Sequence, residues 1–516
     1  MTKILYVPLD ERACNYKYPN MLAQLTDDIQ LVVPSKEMMG SFRTPANVDR
    51  LWDWILEHVG DCDFAIFSMD TLLYGNIVNS RLHHRTIEEC NLYFNHLKKV
   101  KEINPTIQIH AINLIARVAN YNNNSEDPIY WSTYGTRIWK YCYLLDKMDR
   151  QQATGEEMEE FKQLVHEIPV DDLSDFLERR KINSYVNFMC LDFVAEGIVD
   201  HLVIPKDDTA EYGYAALTQR KIAKVIWEKK IVDKVMIYPG ADEVGVVLFS
   251  RIFNLIKGYT PAIYIRYSSV NGQYIIPKYE DRPLHEGLKS QITSIGGIIV
   301  ESAAESDFLF AIHSPGTKMI ECSEQKHKDV TYYSYSNMNE FLNYIAYYKQ
   351  KYEKPYAIAD VAFCNGSDNE LMLLVEKKGI LKEITSYSGW NTTQNTIGLA
   401  LGLINICSYY NGFPMDSNKK LDAKKYLLTQ LIESWLFEAK MFNIMQYLME
   451  NKIDPYHLED KEEEVISIVL GNLQKEIDSE LNHQIDGINR VKIKDLKLPW
   501  HRVFDIDFDL SIDSYY

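Results

Sequence analysis

The chain has 516 residues, 46% hydrophobic and 25% charged, the composition of a folded globular protein of about three domains; a disordered chain or a fibre is excluded. Fifty-five basic and 73 acidic residues leave a net charge of −18, a field that repels a phosphate backbone and argues against nucleic acid as a partner. No run approaches the roughly 18 apolar residues of a membrane span, and the opening Lys3-Ile4-Leu5-Tyr6-Val7-Pro8 lacks the layout of a signal peptide. A cytoplasmic protein without a membrane partner is expected.

From the N-terminus, short apolar runs at 4–8, 29–34, 64–69, 107–114, 201–205 and 235–239 alternate with amphipathic segments. Buried strands joined by helices predict parallel βα units, closed like a barrel or open. The interval from about 120 to 195 interrupts the alternation, and its charged helical character predicts a helical insertion. A second series, 262–267, 298–300, 308–312, 356–363 and 384–387, predicts a smaller flavodoxin-like sheet. Beyond about 400 the pattern turns helical, clearest at 426–448, before a β-like tail at 499–510. The expected organisation is an α/β domain over 1–258, a second α/β domain over 259–398, and a helical C-terminal region over 399–516.

Eight cysteines at 14, 62, 90, 142, 190, 322, 364 and 407 form no Cys-x-x-Cys pair and read as scattered reduced thiols. Thirteen histidines show no metal-ligand spacing. The chain also lacks a Gly-x-Gly-x-x-Gly strand turn, a phosphate-binding P-loop, His-Glu-x-x-His and Gly-x-Ser-x-Gly. No cofactor is expected.

What remains is the position of the carboxylates. Parallel α/β folds draw functional groups from loops after the C-terminal ends of strands. The first predicted strand is followed by Asp10-Glu11-Arg12, the third by Asp70 and then Tyr74, and the fourth leads to Arg117. Lys206-Asp207-Asp208 follows the fifth and Gly240-Ala241-Asp242-Glu243 the sixth. One acid before a helix is explained by capping, worth about 0.5–2 kcal/mol. Adjacent pairs are less easily explained that way, because each raises the pKa of a neighbour, as acid–base chemistry requires. Strands about 4.8 Å apart would separate such carboxyls by roughly 5–10 Å, within reach of a glycosidic bond. Glu243, Asp242, Asp208 and Asp207 are therefore the expected catalytic residues. Asp10, Arg12, Asp70, Tyr74 and Arg117 are expected to bind substrate, joined by Asp360, Asp368, Trp390 and Asn391 from the second series. Trp390 is expected to stack on a sugar ring.

Two resemblances follow from these residues. Gly240-Ala241-Asp242-Glu243-Val244 resembles the Gly-x-Asp-Glu motif of family 20 β-hexosaminidases, and Asp207-Asp208 resembles the acidic pair of family 84 enzymes, both retaining and substrate-assisted. The resemblance implies that Glu243 protonates the leaving oxygen while Asp242 orients an acetamido group. Across the chain, Tyr6-Val-Pro-Leu-Asp-Glu-Arg12, Lys206-Asp-Asp-Thr-Ala-Glu-Tyr-Gly213, Tyr238-Pro-Gly-Ala-Asp-Glu-Val-Gly245, Tyr279-Glu-Asp281 and Ser388-Gly-Trp-Asn-Thr392 resemble the bacterial family of domain of unknown function 4127. Ala13 departs from that family's usual proline. The family implies no activity. The expected function is hydrolysis of a small glycan or glycoside, such as an N-acetylhexosaminide. The alternatives are a hydrolase of a phosphorylated or carbohydrate substrate with Mg²⁺ on Asp10, Asp70, Asp207 and Asp242, and a non-catalytic sugar-binding protein.

Overall fold

The computed structural model describes residues 1–412 and 415–514. The chain divides into two compact units, the first comprising residues 1–11, 28–245 and 279–281, the second 12–27, 246–278 and 282–516.

In the first unit, β1 (Thr2–Val7), β2 (Ile29–Val32), β3 (Phe64–Ser68), β4 (Gln108–Ile112), β5 (His201–Lys206) and β6 (Val235–Pro239) form one sheet in the order β2-β1-β3-β4-β5-β6. Every neighbouring pair is parallel. These strands are continuous apolar runs because helices cover both faces of a parallel sheet; all six residues of β5 are buried. The sheet ends in β2 on one side and β6 on the other, so it is open and not a barrel. Register sets Val7 beside Phe67, Ser68 beside Ile112 and Lys206 beside Pro239, which delivers the loops after β1, β3, β4, β5 and β6 to one edge.

The expected insertion is helical, comprising α1 (Trp131–Asp149), α2 (Gly155–Glu167) and α3 (Val170–Ala195). It has an apolar cluster of its own, built on Trp131, Ile138, Cys142, Leu144, Leu164 and Phe176. Thr154 and Glu157 form a reciprocal capping box at the start of α2.

The second unit repeats the architecture. Its strands β7 (Ala262–Tyr267), β8 (Ile298–Val300), β9 (Phe308–His313), β10 (Tyr356–Asp360) and β11 (Ser386–Ser388) run parallel in the order β8-β7-β9-β10-β11. Both sheets place their second strand outside the first and then build in the other direction, the flavodoxin-like order. Ile263, Phe308, Phe310, Ile312, Ala357 and Ala359 pack against Leu284, Leu288 and Ile292 of α4 (Leu284–Ser294) and Ile397, Leu401 and Ile404 of α5 (Thr393–Tyr409). The C-terminal region is helical: α6 (Ser417–Leu431) runs into a π-helical segment, Ile432–Ala439, and α7 (Glu462–Glu480) follows. It closes with an antiparallel hairpin, β12 (Ile488–Lys497) and β13 (Asp507–Ser514), tied to α7 where Gln474 bonds the backbone of Val491 and Ile493. Among the described residues, no helix is long and apolar enough to cross a membrane.

Candidate acid–base site

The order of the first sheet reverses between β1 and β3, and such a reversal opens a crevice beyond the strand ends. Ser68, the last residue of β3, accepts from the Thr71 N–H and caps the short helix Met69–Tyr74. The Thr71 hydroxyl is 2.7 Å from the carbonyl of Pro8 and 2.8 Å from that of Leu9, which clamps the end of β1 to the end of β3. Asp70 therefore stands at the reversal point, 2% exposed. Its Oδ2 accepts from the Leu114 N–H at 2.8 Å and from Asn113 at 3.4 Å. Burial pushes the Asp70 carboxyl up to about 7 against the pull of those bonds, with the charge of Asp207 adding to the rise. Asn187 of α3 holds Asn113 and the Leu114 carbonyl, so the insertion supports this acid's partners.

Beside Asp70 the connections after β3, β4 and β5 form a network of ion pairs. Arg81 bridges Asp207 and Glu126, each at 2.6 Å. Arg117 reaches Asp208 at 3.0 Å, Glu126 at 3.1 Å and Asp127 at 3.7 Å, and also bonds the Tyr121 hydroxyl. Arg180 of α3 bonds the Arg117 carbonyl, and its burial lowers its own pKa to about 10. Three guanidinium groups thus face the carboxyls of Glu126, Asp127, Asp207 and Asp208, leaving acid in excess. The rim reaches solvent: the Asp208 side chain is 34% exposed and Tyr121 39%. Lys206, wholly buried, pairs with Asp281 and Gln219.

The other expected residues take varied positions. Asp10 and Glu243 are fully buried and Asp242 nearly so. Glu243 Oε2 accepts from the Ala241 N–H at 3.0 Å, and its carboxyl lies so close over Gly240 that a Cβ there would meet Oε1 at 2.2 Å. Tyr74 is buried and stacked on His83 at 4.2 Å. Arg12 belongs to the second unit, where it lies 4.4 Å over the Trp500 ring and bonds Asp505 at 3.4 Å.

Asp360, Asp368, Trp390 and Asn391 also lie in the second unit. Asp360 ends β10, and its Oδ2 accepts from the Asp368 N–H at 2.7 Å and the Tyr387 hydroxyl at 3.0 Å. Burial pushes this carboxyl up to about 6. Burial also opposes ionisation of Asp368, but bonds from His313 and the Tyr332 hydroxyl prevail and hold it below the usual carboxylate range. Trp390, expected as a stacking wall, is 1% exposed and turned into the interior. Asn391 adopts φ +58° and accepts through its carbonyl from the Asn365 N–H at 2.8 Å.

Sequence reasoning passed over Arg81, Glu126, Asp127 and Arg180, which lie in connections and in the insertion, where no strand register indicates their neighbours. It also passed over His313, although this residue ends β9 and the strand-end rule applied to the acids selects it. Among the described residues, no group of three or more His, Cys, Asp or Glu side chains is arranged to hold a metal ion.

Two open parallel sheets of one order, the first with a protonatable carboxyl at its reversal point beside ion-paired acids, define a tandem α/β protein with charged strand-end loops. The family model of proteins of unknown function DUF4127 matches residues 4–509, and the chain belongs to that family. Comparison with curated proteins returned no match, and comparison with solved structures returned none.

Proposed function

We propose that the chain is a glycoside hydrolase whose reaction runs at the strand-end acids of the first unit. The observation that carries the reading is the contrast between Asp70, held by the Leu114 N–H and Asn113 and pushed up to about 7 by burial, and Asp207, ion-paired to Arg81 at 2.6 Å. Environments that separate carboxyls in this way divide the roles of proton donor and anion between them. Asp70 supplies the proton to the leaving oxygen. Asp207 stabilises the positive charge that develops on the sugar, and Arg81 fixes its carboxylate.

The charge balance supports a neutral substrate. Acid in excess of guanidinium repels phosphate and favours an oxocarbenium-like transition state. Asp242, after the neighbouring strand β6, extends the acidic edge, and Glu243 is folded back on the Ala241 N–H. Eight free cysteines support a cytoplasmic setting. The test is turnover of chromogenic glycosides by a dialysed, chelator-treated sample, N-acetylhexosaminides first. Turnover that Asp70→Asn abolishes is expected; turnover restored only by Mg²⁺ or Mn²⁺ would favour a metal-dependent hydrolase, and tight sugar binding without turnover a binding protein.

A further inference from the structure

The second unit has its own order reversal, between β7 and β9, and the residues there are of a different kind. Ser268 directly follows β7, and His313 ends β9. The Ser268 hydroxyl lies 2.9 Å from His313 Nδ1, and His313 Nε2 lies 2.8 Å from Asp368 Oδ2. Asp368 is fixed in turn by the Tyr332 hydroxyl and by the Glu370 N–H at 2.9 Å. A bond from Nε2–H to Asp368 leaves Nδ1 as an acceptor for the serine proton. Nucleophile, base and orienting carboxylate are thus connected in sequence, the logic of a serine triad with the roles of the two ring nitrogens exchanged.

Exposure follows the same sequence. Ser268 is 8% exposed, His313 and Asp368 are at 0%, and the Ser268 hydroxyl also accepts from the Ser314 N–H at 3.0 Å, so the serine is the member of the relay nearest the surface. The neighbouring segment exposes apolar side chains. The Asn337 N–H bonds the Ser268 carbonyl, Ser269 pairs with Ser336, and the Val270 N–H bonds the Tyr335 carbonyl at 2.9 Å. These contacts join the loop after Ser268 to the segment carrying Val330, Tyr333 and Tyr335. Val270 is 78% exposed, Val330 88% and Tyr333 65%.

We propose that Ser268, His313 and Asp368 form an acyl-transfer site that cleaves esters with an apolar acyl group. Ser268 Oγ attacks the acyl carbon, its proton passes to His313 Nδ1, and the bond to the leaving alkoxide breaks as His313 returns that proton. Water then hydrolyses the acyl-serine by the same path, so the net change is ester plus water to acid plus alcohol. Ser268 and His313 are the catalytic residues, and Asp368 is a positioning residue. The bond to Asp368 and the nearby charge of Asp360 raise the His313 pKa despite burial, so nucleophilicity grows on the alkaline side, where the imidazole is neutral.

The test treats the full chain with a tagged alkyl fluorophosphonate and maps the adduct by peptide mass spectrometry. One adduct on Ser268 is expected, absent in Ser268→Ala and formed at least about 10²-fold more slowly in His313→Gln. Asp368→Asn is expected to move the pH profile of labelling to lower pH, because the imidazole loses the anion that holds its proton; a purely structural role would leave the profile in place. Thermal melts check that the variants fold. Wild-type protein decides the matter without them: no adduct, or an adduct on another residue, overturns the proposal, and equal labelling of Ser268→Ala does the same.

Discussion

The two sheets share one strand order and place their polar residues at the same topological point, yet the chemistry there differs. In the first unit the reversal point has a carboxyl pushed up to about 7, Asp70, beside arginine-bridged acids with a partly exposed rim. In the second it has a buried histidine between a serine and an aspartate, braced by the Tyr332 hydroxyl. The fold determines where a site forms and the side chains determine what it does. The first network is built on arginine–carboxylate pairs and the second on one histidine linked to an aspartate.

The largest expected effect tests the first unit's division of roles. Asp70→Asn keeps an acceptor for Leu114 but removes the titratable proton, so kcat/KM for a glycoside should fall by roughly 10²–10⁴-fold with no loss of melting temperature. Next is the charge network itself. Arg81→Met leaves Asp207 without its 2.6 Å partner in a buried setting, and chemical denaturation should show a loss of about 3–5 kcal/mol.

An effect of comparable size, but spread over several pH units, tests the second unit through Glu433, in its π-helical segment. Burial pushes this carboxyl up to about 8, with the Tyr18 hydroxyl as its partner. Below pH 4.5 the group is neutral in both folded and unfolded chains, and its contribution to stability is complete. As pH rises from about 4.5 to about 8 the unfolded chain releases the proton and the folded chain retains it, so stability falls by about 1.4 kcal/mol per pH unit, then levels off. Glu433→Gln removes that slope, and the melting-temperature difference, variant minus wild type, should grow through this window. A difference independent of pH would contradict the assignment. The smallest effect is local: Thr154→Ala opens the capping box of α2 and should cost about 1 kcal/mol by denaturation, with turnover unchanged.

All eleven strands of the two sheets were legible in the sequence, the inner ones most clearly, because a strand buried on both faces leaves an uninterrupted apolar run bounded by turn residues. The strand-end acids were legible for the same reason: once β5 is placed, Asp207 and Asp208 must follow at its C-terminal end. The ion pairs were not. Arg81 lies 126 residues from Asp207, and apolar periodicity does not encode which arginine meets which acid. The burial of Trp390 was hidden too, since a tryptophan after a strand reads equally as a stacking wall or as core. His313 was within reach of the strand-end rule, but a search for metal-ligand spacing passes over a histidine whose partners are a serine and an aspartate.

The central claim, that Asp70 donates the proton in glycoside cleavage, is tested most directly by the pH dependence of kcat/KM on the best chromogenic glycoside, wild type against Asp70→Asn. Wild-type activity should fall as pH rises through about 7, where the Asp70 carboxyl loses its proton, and that descending limb should vanish in the variant along with most of the rate. A variant with wild-type turnover and the same descending limb would contradict the account.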